Sequence, residues 1–170
     1  MTTTSVMVGM AEIHVLKGSG SFVCLGLGSC IGLCAIDPVE NVAGCAHIVL
    51  PKAFDEKRGE RPGKFADTAI PELLAMMERM GASRSRIVLA MAGGAQVFRF
   101  GNGDSASKLD IGGRNAAAVE EILKNMRFPV KAKDVGGNSG RTVQFHVESG
   151  LITVKTAATG ERPLCNLRKG

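Results

Sequence analysis

Tryptophan and tyrosine are absent from this 170-residue sequence, and aromatics make up only 4% of it. Single-stranded nucleic acid is held by stacking bases on aromatics interleaved with arginine, so that class of function is disfavoured. No run of five or more Lys and Arg occurs either; the net charge of +5 is scattered along the chain. With a pI of about 9.1, the surface leans toward an acidic macromolecular partner and toward nothing sharper. No apolar stretch is long enough to span a bilayer. Met1-Thr2-Thr3-Thr4 lacks the basic region and apolar core of a secretory signal. A cytoplasmic, reducing location without membrane insertion is the resulting expectation.

What the sequence does hold is apolar material and cysteine. Hydrophobic residues make up 45% of it, and its length fits one domain over residues 1–170. The cysteines are Cys24, Cys30, Cys34, Cys45 and Cys165, an odd number with four crowded into one short region. In a reducing compartment that reads as free thiols rather than a disulfide framework.

Residues 5–17 mix β-branched and apolar residues and read as one strand, closed by the turn signal Gly18-Ser19-Gly20. Residues 21–36 suggest two short strands around a bend at Gly26, Gly28 and Ser29, and Val42–Leu50 another strand. Residues 52–65 are charged, contain Gly and Pro, and read as a solvated loop. A helix is expected over Asp67–Met80, capped by Asp67, with Ile70, Leu73, Leu74, Met77 and Met80 as its apolar stripe and Gly81 as its stop. A strand over Ile87–Met91 enters Gly93-Gly94, and a Gly/Asn/Asp/Ser-rich connection covers 101–107. A second helix over 114–126 follows Ile111-Gly112-Gly113, then a strand over Phe128–Val135. Thr142–Val147 and Leu151–Lys155 flank a hairpin turn, and a short polar tail is expected from about residue 161. The order β-β-β-β-α-β-α-β-β-β indicates an α+β domain with a layered, mostly antiparallel sheet and two main helices.

Chemistry concentrates between Gly26 and Pro51. Asp37-Pro38-Val39-Glu40 has type I turn preferences. A hairpin closed there, with Asp37 facing Glu40, sets Cys30 opposite His47. Directly opposed residues share a face, with Cβ atoms roughly 4.5–5.5 Å apart. A loop longer by two residues leaves the pair on one face, one step diagonal; a one-residue bulge separates the faces. A thiol is a weak nucleophile until a base takes its proton, and an imidazole can do so and later return it to a leaving amine. The Gly-rich approach, with Gly28 and Ser29 as candidate substrate-binding residues, can aim backbone N–H groups at a developing oxyanion. Against this stands the reading of Cys30 as a small buried hydrophobe and His47 as a structural histidine.

Leu25-Gly26-Leu27-Gly28-Ser29-Cys30, Asp37-Pro38 and Ala46-His47-Ile48-Val49-Leu50-Pro51 closely resemble the signature of the CheD family, the chemoreceptor glutamine deamidases. Further stretches resemble the family in order: Lys64-Phe65-Ala66-Asp67, Gly93-Gly94-Ala95, Ile111-Gly112 with Arg114-Asn115, and Gly136-Gly137 with Gly140-Arg141. The resemblance implies Cys30 as nucleophile, His47 as base, and hydrolysis of glutamine side-chain amides on methyl-accepting chemotaxis receptors. It also implies the phosphatase CheC as a partner and a fold similar to bacterial toxin deamidases; no cofactor and no metal are expected. In the family pattern a Thr stands six residues before the nucleophile and completes a triad. Here that position is Cys24, a weaker hydrogen-bonding partner, which leaves a backbone carbonyl as the other way to orient His47.

Several rivals stay open at this point. Zinc would need Cys30, Cys34, Cys45 and His47 together, yet Cys30 and Cys34 on one strand lie about 13 Å apart. A redox pair would join Cys30 to Cys24 or Cys45. Gly112-Gly113 before a helix hints at phosphate binding without the required glycine spacing. A deamidase-like fold serving only as a phosphatase partner is the non-enzyme alternative. Arg141, Asn115 and Ser29 are candidates for shaping a substrate groove.

Overall fold

The computed structural model describes residues 4–53, 61–96 and 110–169. The connection expected over 101–107 lies outside the described residues, as do residues 54–60 of the charged loop. Ten strands and two long helices are described: β1 Ser5–Met7, β2 Ile13–Lys17, β3 Ser21–Leu27, β4 Ile31–Asp37, β5 Val42–Ile48, α1 Ala66–Arg79, β6 Val88–Gly93, α2 Ile111–Asn125, β7 Val130–Val135, β8 Arg141–His146, β9 Leu151–Thr156 and β10 Gly160–Asn166. They build two mixed sheets, ordered β1-β3-β8-β9-β10 and β2-β5-β4-β6-β7. Among the described strands, only β1–β3 and β6–β7 pair parallel. The layered, mostly antiparallel α+β arrangement is therefore as expected.

The second sheet is the middle layer. One face carries Ile31, Leu33, Ala46, Ile48 and Leu89, packed on α1 and α2. Its other face carries Cys34, Cys45, Ala43 and Ala90, packed on Phe22, Val143, Phe145 and Val154 of the first sheet. Strands β4 and β5 are buried along their whole length, which is why they read as continuous apolar runs rather than alternating ones. Helix α1 buries Ala69, Ile70, Leu73, Leu74 and Met77. It sits close because β5 has no side chain at Gly44, where a Cβ would stand 2.6 Å from Leu73 Cδ1. Each such large apolar side chain contributes about 1.5–3 kcal/mol on burial.

Five expectations are corrected by packing. Residues 5–17 are not one strand: β1 joins the first sheet and β2 the second, with Ala11 at φ 66 in the crossing. The segment changes layers because β1 pairs with β3 of the first sheet and β2 with β5 of the second. Asp67 is not the cap of α1, since Phe65 is; Asp67 lies in the first turn and accepts the Ala53 N–H at 3.0 Å. Met80 leaves the stripe and is 37% exposed, beyond the last turn. Helix α2 starts at Ile111, three residues early, because the Asp110 carboxylate caps it through the Gly113 N–H at 2.8 Å. The stretch from about 161 is no tail; it is β10, paired antiparallel with β9 and carrying half-buried Leu164 and Cys165.

Asp37 closes the β4–β5 hairpin and ties it to the entry of β6. Its buried carboxylate accepts the N–H groups of Val39 at 3.0 Å, Glu40 at 3.3 Å and Ser83 at 2.9 Å, and Arg86 Nη2 at 2.9 Å. Burial alone would raise this carboxyl; the Arg86 guanidinium and the three N–H groups outweigh it and hold it at about 2. A depressed carboxyl stabilises the fold above its unfolded value near 4 and loses that contribution as pH falls toward about 2. Asp37→Ala is expected to lower unfolding free energy by roughly 2–4 kcal/mol, as for breaking a buried pair whose other member is half-exposed. Urea titration at neutral pH, and of the unsubstituted protein between about pH 4 and 2, checks both the size and the acid limb.

Candidate active site

Cys30 stands at the mouth of β4 and is 8% exposed; His47 lies near the end of β5 and is 4% exposed. The hairpin pairs Asp37 with Val42, not with Glu40, so Gly32 faces His47. The turn is longer by two residues, with Asn41 in the left-handed region at φ 57. Cys30 and His47 consequently share the inter-sheet face one step apart on the diagonal, where Cβ atoms are roughly 7–8 Å apart or somewhat less. No hydrogen bond joins the Cys30 thiol to the imidazole among the described residues. Burial, and then the neighbouring Cys24 thiol, push the Cys30 thiol up from its ordinary value. Cys30 therefore favours the protonated thiol form.

The imidazole is oriented by the chain crossing between the sheets. His47 Nδ1 lies 3.0 Å from the carbonyl oxygen of Val8. A carbonyl only accepts, so Nδ1 is the donor here; in the neutral ring this tautomer leaves the lone pair on Nε2, the form a general base needs. The backbone on either side is held as well: His47 N–H donates to Glu12 O at 3.0 Å, and Ala11 N–H to His47 O at 2.9 Å. The split of residues 5–17 into two strands is what brings Val8 here. No local sequence signal announces such a carbonyl.

Cys24 lies beside the pair but makes no hydrogen bond to His47 among the described residues. Its Sγ lies 3.6 Å from Cys45 Sγ, across the interface between the sheets, and it is 1% exposed. The Cys45 thiol and burial push it far above the ordinary thiol range. It sits over Gly32, where an added Cβ would be 3.5 Å from Cys24 Sγ and 3.1 Å from Leu27 Cδ1. Cys24 thus lies over Gly32, opposite His47, with its thiol on Cys45, while the ring's hydrogen bond goes to the Val8 carbonyl.

The loop before Cys30 is pinned by its carbonyls. Gly28 O accepts the Ala95 N–H at 2.8 Å and Cys30 O accepts the Gly94 N–H at 2.9 Å. Ser29 O accepts Asn115 Nδ2 at 2.9 Å, and the same amide reaches Val49 O at 2.9 Å. Gly93, at φ +119, has no room for a side chain, since a Cβ would stand 2.1 Å from Cys30 O. Gly112 lets α2 close on the same segment, where a Cβ would lie 2.4 Å from Ala95 O. The glycines flanking this site serve close backbone approach. Arg141 supports the next layer: it holds the carboxylate of Asp134 and the carbonyl of Gly136, whose N–H donates to Gly93 O at 3.1 Å. An open groove of about 440 Å³ runs over the outer face of the first sheet past Leu25, Gln144 and Lys155, and neither Cys30 nor His47 lines it.

A shared face, a protonated thiol and an imidazole with Nε2 free together fit acyl-transfer chemistry at a carbonyl. A family model described as CheD chemotactic sensory transduction matches residues 49–156. The chain belongs to the CheD family. Its relatives reach across the Cys30–His47 hairpin as well. A "Probable chemoreceptor glutamine deamidase CheD" of Clostridium botulinum (strain Hall) is 38% identical over 164 residues, which is 96% of this chain and 100% of the relative. A protein of the same description from Lachnoclostridium phytofermentans is 40% identical over 159 residues, covering 94% of this chain and 98% of the relative. Among the described residues, no helix is long and apolar enough to cross a membrane.

Proposed function

We propose that this chain is a protein-glutamine glutaminase that converts glutamine side chains of chemoreceptors to glutamate, with Cys30 as nucleophile and His47 as base. The observation that carries the reading is the Val8 carbonyl on His47 Nδ1, which leaves Nε2 free on the face that Cys30 shares. As Cys30 Sγ attacks the amide carbon, its proton passes to Nε2 and a C–S bond forms. The tetrahedral oxyanion collapses, the C–N bond breaks, and His47 returns the proton so that ammonia leaves. A water then gives its proton to His47 and its oxygen to the thioester carbon; the C–S bond breaks and the thiol is restored. Glutamate remains on the receptor.

The substrate is a helical, glutamate-rich cytoplasmic segment, toward which the +5 charge steers. A cytoplasmic location and the phosphatase CheC as partner belong to the same reading. The test is incubation with a purified receptor cytoplasmic fragment, reading ammonia release and the amide-to-acid mass change by peptide mass spectrometry. Unchanged glutamines at all sites would end the proposal and leave the purely regulatory role beside CheC.

Cys24→Ala is expected to leave the rate within about threefold of wild type, because a buried thiol hydrogen-bonded to another thiol orients no imidazole. It loses only a small apolar contact, about 1 kcal/mol. The Val8 carbonyl would lose its role if Cys24→Ala abolished turnover while thermal unfolding stayed close to wild type.

A further inference from the structure

We propose that Asn115 is the positioning residue for an oxyanion site built from the backbone N–H of Cys30. The inference rests on the deamidase reading above and concerns how the tetrahedral intermediate is held. Three successive carbonyls of the nucleophile loop, those of Gly28, Ser29 and Cys30, each accept one hydrogen bond from the side of β6 and α2. The outer two are taken by backbone N–H groups of Ala95 and Gly94. The middle one, on Ser29, is taken by the Asn115 side chain.

That middle bond sets the direction of the catalytic amide. A peptide unit is planar, and no cis bond is found among the described residues. In a trans unit the C=O and the following N–H point opposite ways. Drawing Ser29 O toward α2 therefore turns the Cys30 N–H away from α2. No acceptor for that N–H exists among the described residues, so it stands ready for one. The nucleophile's own N–H is well placed for the oxyanion, because the attacked carbon is bonded to the same residue's Sγ. A donor held in place beforehand needs no reorganisation when charge develops.

Asn115 itself bears the marks of a geometric role. It is fully buried on α2, and both Nδ2 hydrogens are spent, on Ser29 O and Val49 O. These two acceptors fix which end of the amide is nitrogen. Its Oδ1 meets no donor among the described residues, an arrangement unfavourable to stability taken alone. Val49 follows His47 by two residues, so one side chain locks the nucleophile loop to the strand that carries the base.

The experiment compares Asn115→Ala and Asn115→Ser with the unsubstituted protein on the receptor fragment. Deamidation kcat is expected to fall on the order of 10²–10³-fold, the effect of losing one oxyanion donor, with KM little changed. Alkylation of Cys30 by iodoacetamide develops no oxyanion and is expected to continue at the wild-type rate. Wild-type kcat in either variant overturns the proposal, as does alkylation that falls in step with deamidation. Should neither variant fold, a second measurement uses the unsubstituted protein, in which a short aldehyde forms a hemithioacetal on Cys30. The ¹⁵N-resolved Cys30 amide resonance is expected to move downfield as its N–H meets the new oxygen. Absence of the adduct, or an adduct with an unmoved resonance, overturns the oxyanion site. Receptor glutamines left intact by a protein that still forms the shifted adduct would instead remove the deamidase reading.

Discussion

Cys30→Ala is expected to abolish deamidation, by about 10⁶-fold and down to background hydrolysis, the scale seen when an acyl-transfer nucleophile is removed. Among the described residues no other thiol takes its place: Cys34 and Cys45 are buried between the sheets, the free Cys24 thiol is hydrogen-bonded to Cys45, and Cys165 lies on β10. The substitution removes one sulfur atom from the rim of the core, so the melting temperature is expected to change by only a few degrees. Circular dichroism and thermal unfolding check that the fold survives, and ammonia release checks the loss. The unsubstituted thiol carries a second expectation. Burial raises it, so iodoacetamide should react slowly with Cys30 at neutral pH and faster as pH rises through the thiol range. A plateau reached already below neutrality would mean a preformed thiolate, contrary to the protonated resting state described here.

His47→Ala is expected to reduce kcat by roughly 10²–10⁴-fold, the usual contribution of a positioned general base. It also leaves the buried Val8 carbonyl without its donor, which costs about 1–3 kcal/mol of stability. The informative contrast is again with alkylation. If His47 acts only as the thiol attacks, Cys30 alkylation should change little in His47→Ala while deamidation collapses. If it held Cys30 as a thiolate at rest, both would fall together. Stopped-flow deamidation and timed alkylation on one preparation separate the two.

The register of the β4–β5 hairpin shows how far local rules reach. Asp37-Pro38 correctly marks the turn, and the period of two along a strand puts Cys30 and His47 on one face in either of two registers. In the register that forms, the Asp37 carboxylate holds Ser83 and Arg86 from another part of the chain. Asp37 pairs with Val42 rather than Glu40, with Asn41 in the left-handed region, and turn propensity contains no information about such long-range contacts. The strand at Gly160–Asn166 was illegible for a similar reason. Glu161, Arg162 and Pro163 look like a polar end until β9 offers an edge to pair with. Pro is tolerated there because β10 is itself an edge strand.

Cys30 and His47 were legible from spacing, turn chemistry and resemblance, and so was the thiol at position 24 as a departure from the family pattern. The sequence alone therefore determined the shared face of Cys30 and His47, the two main helices, most of the strands, and the family. The tertiary structure alone decided what holds that pair: the Val8 carbonyl on His47, the Cys24–Cys45 contact, and the Asn115 amide on Ser29. The reason is physical. A side chain's identity is written at its position, whereas a backbone carbonyl is the same at every residue and gains meaning only from where the chain delivers it.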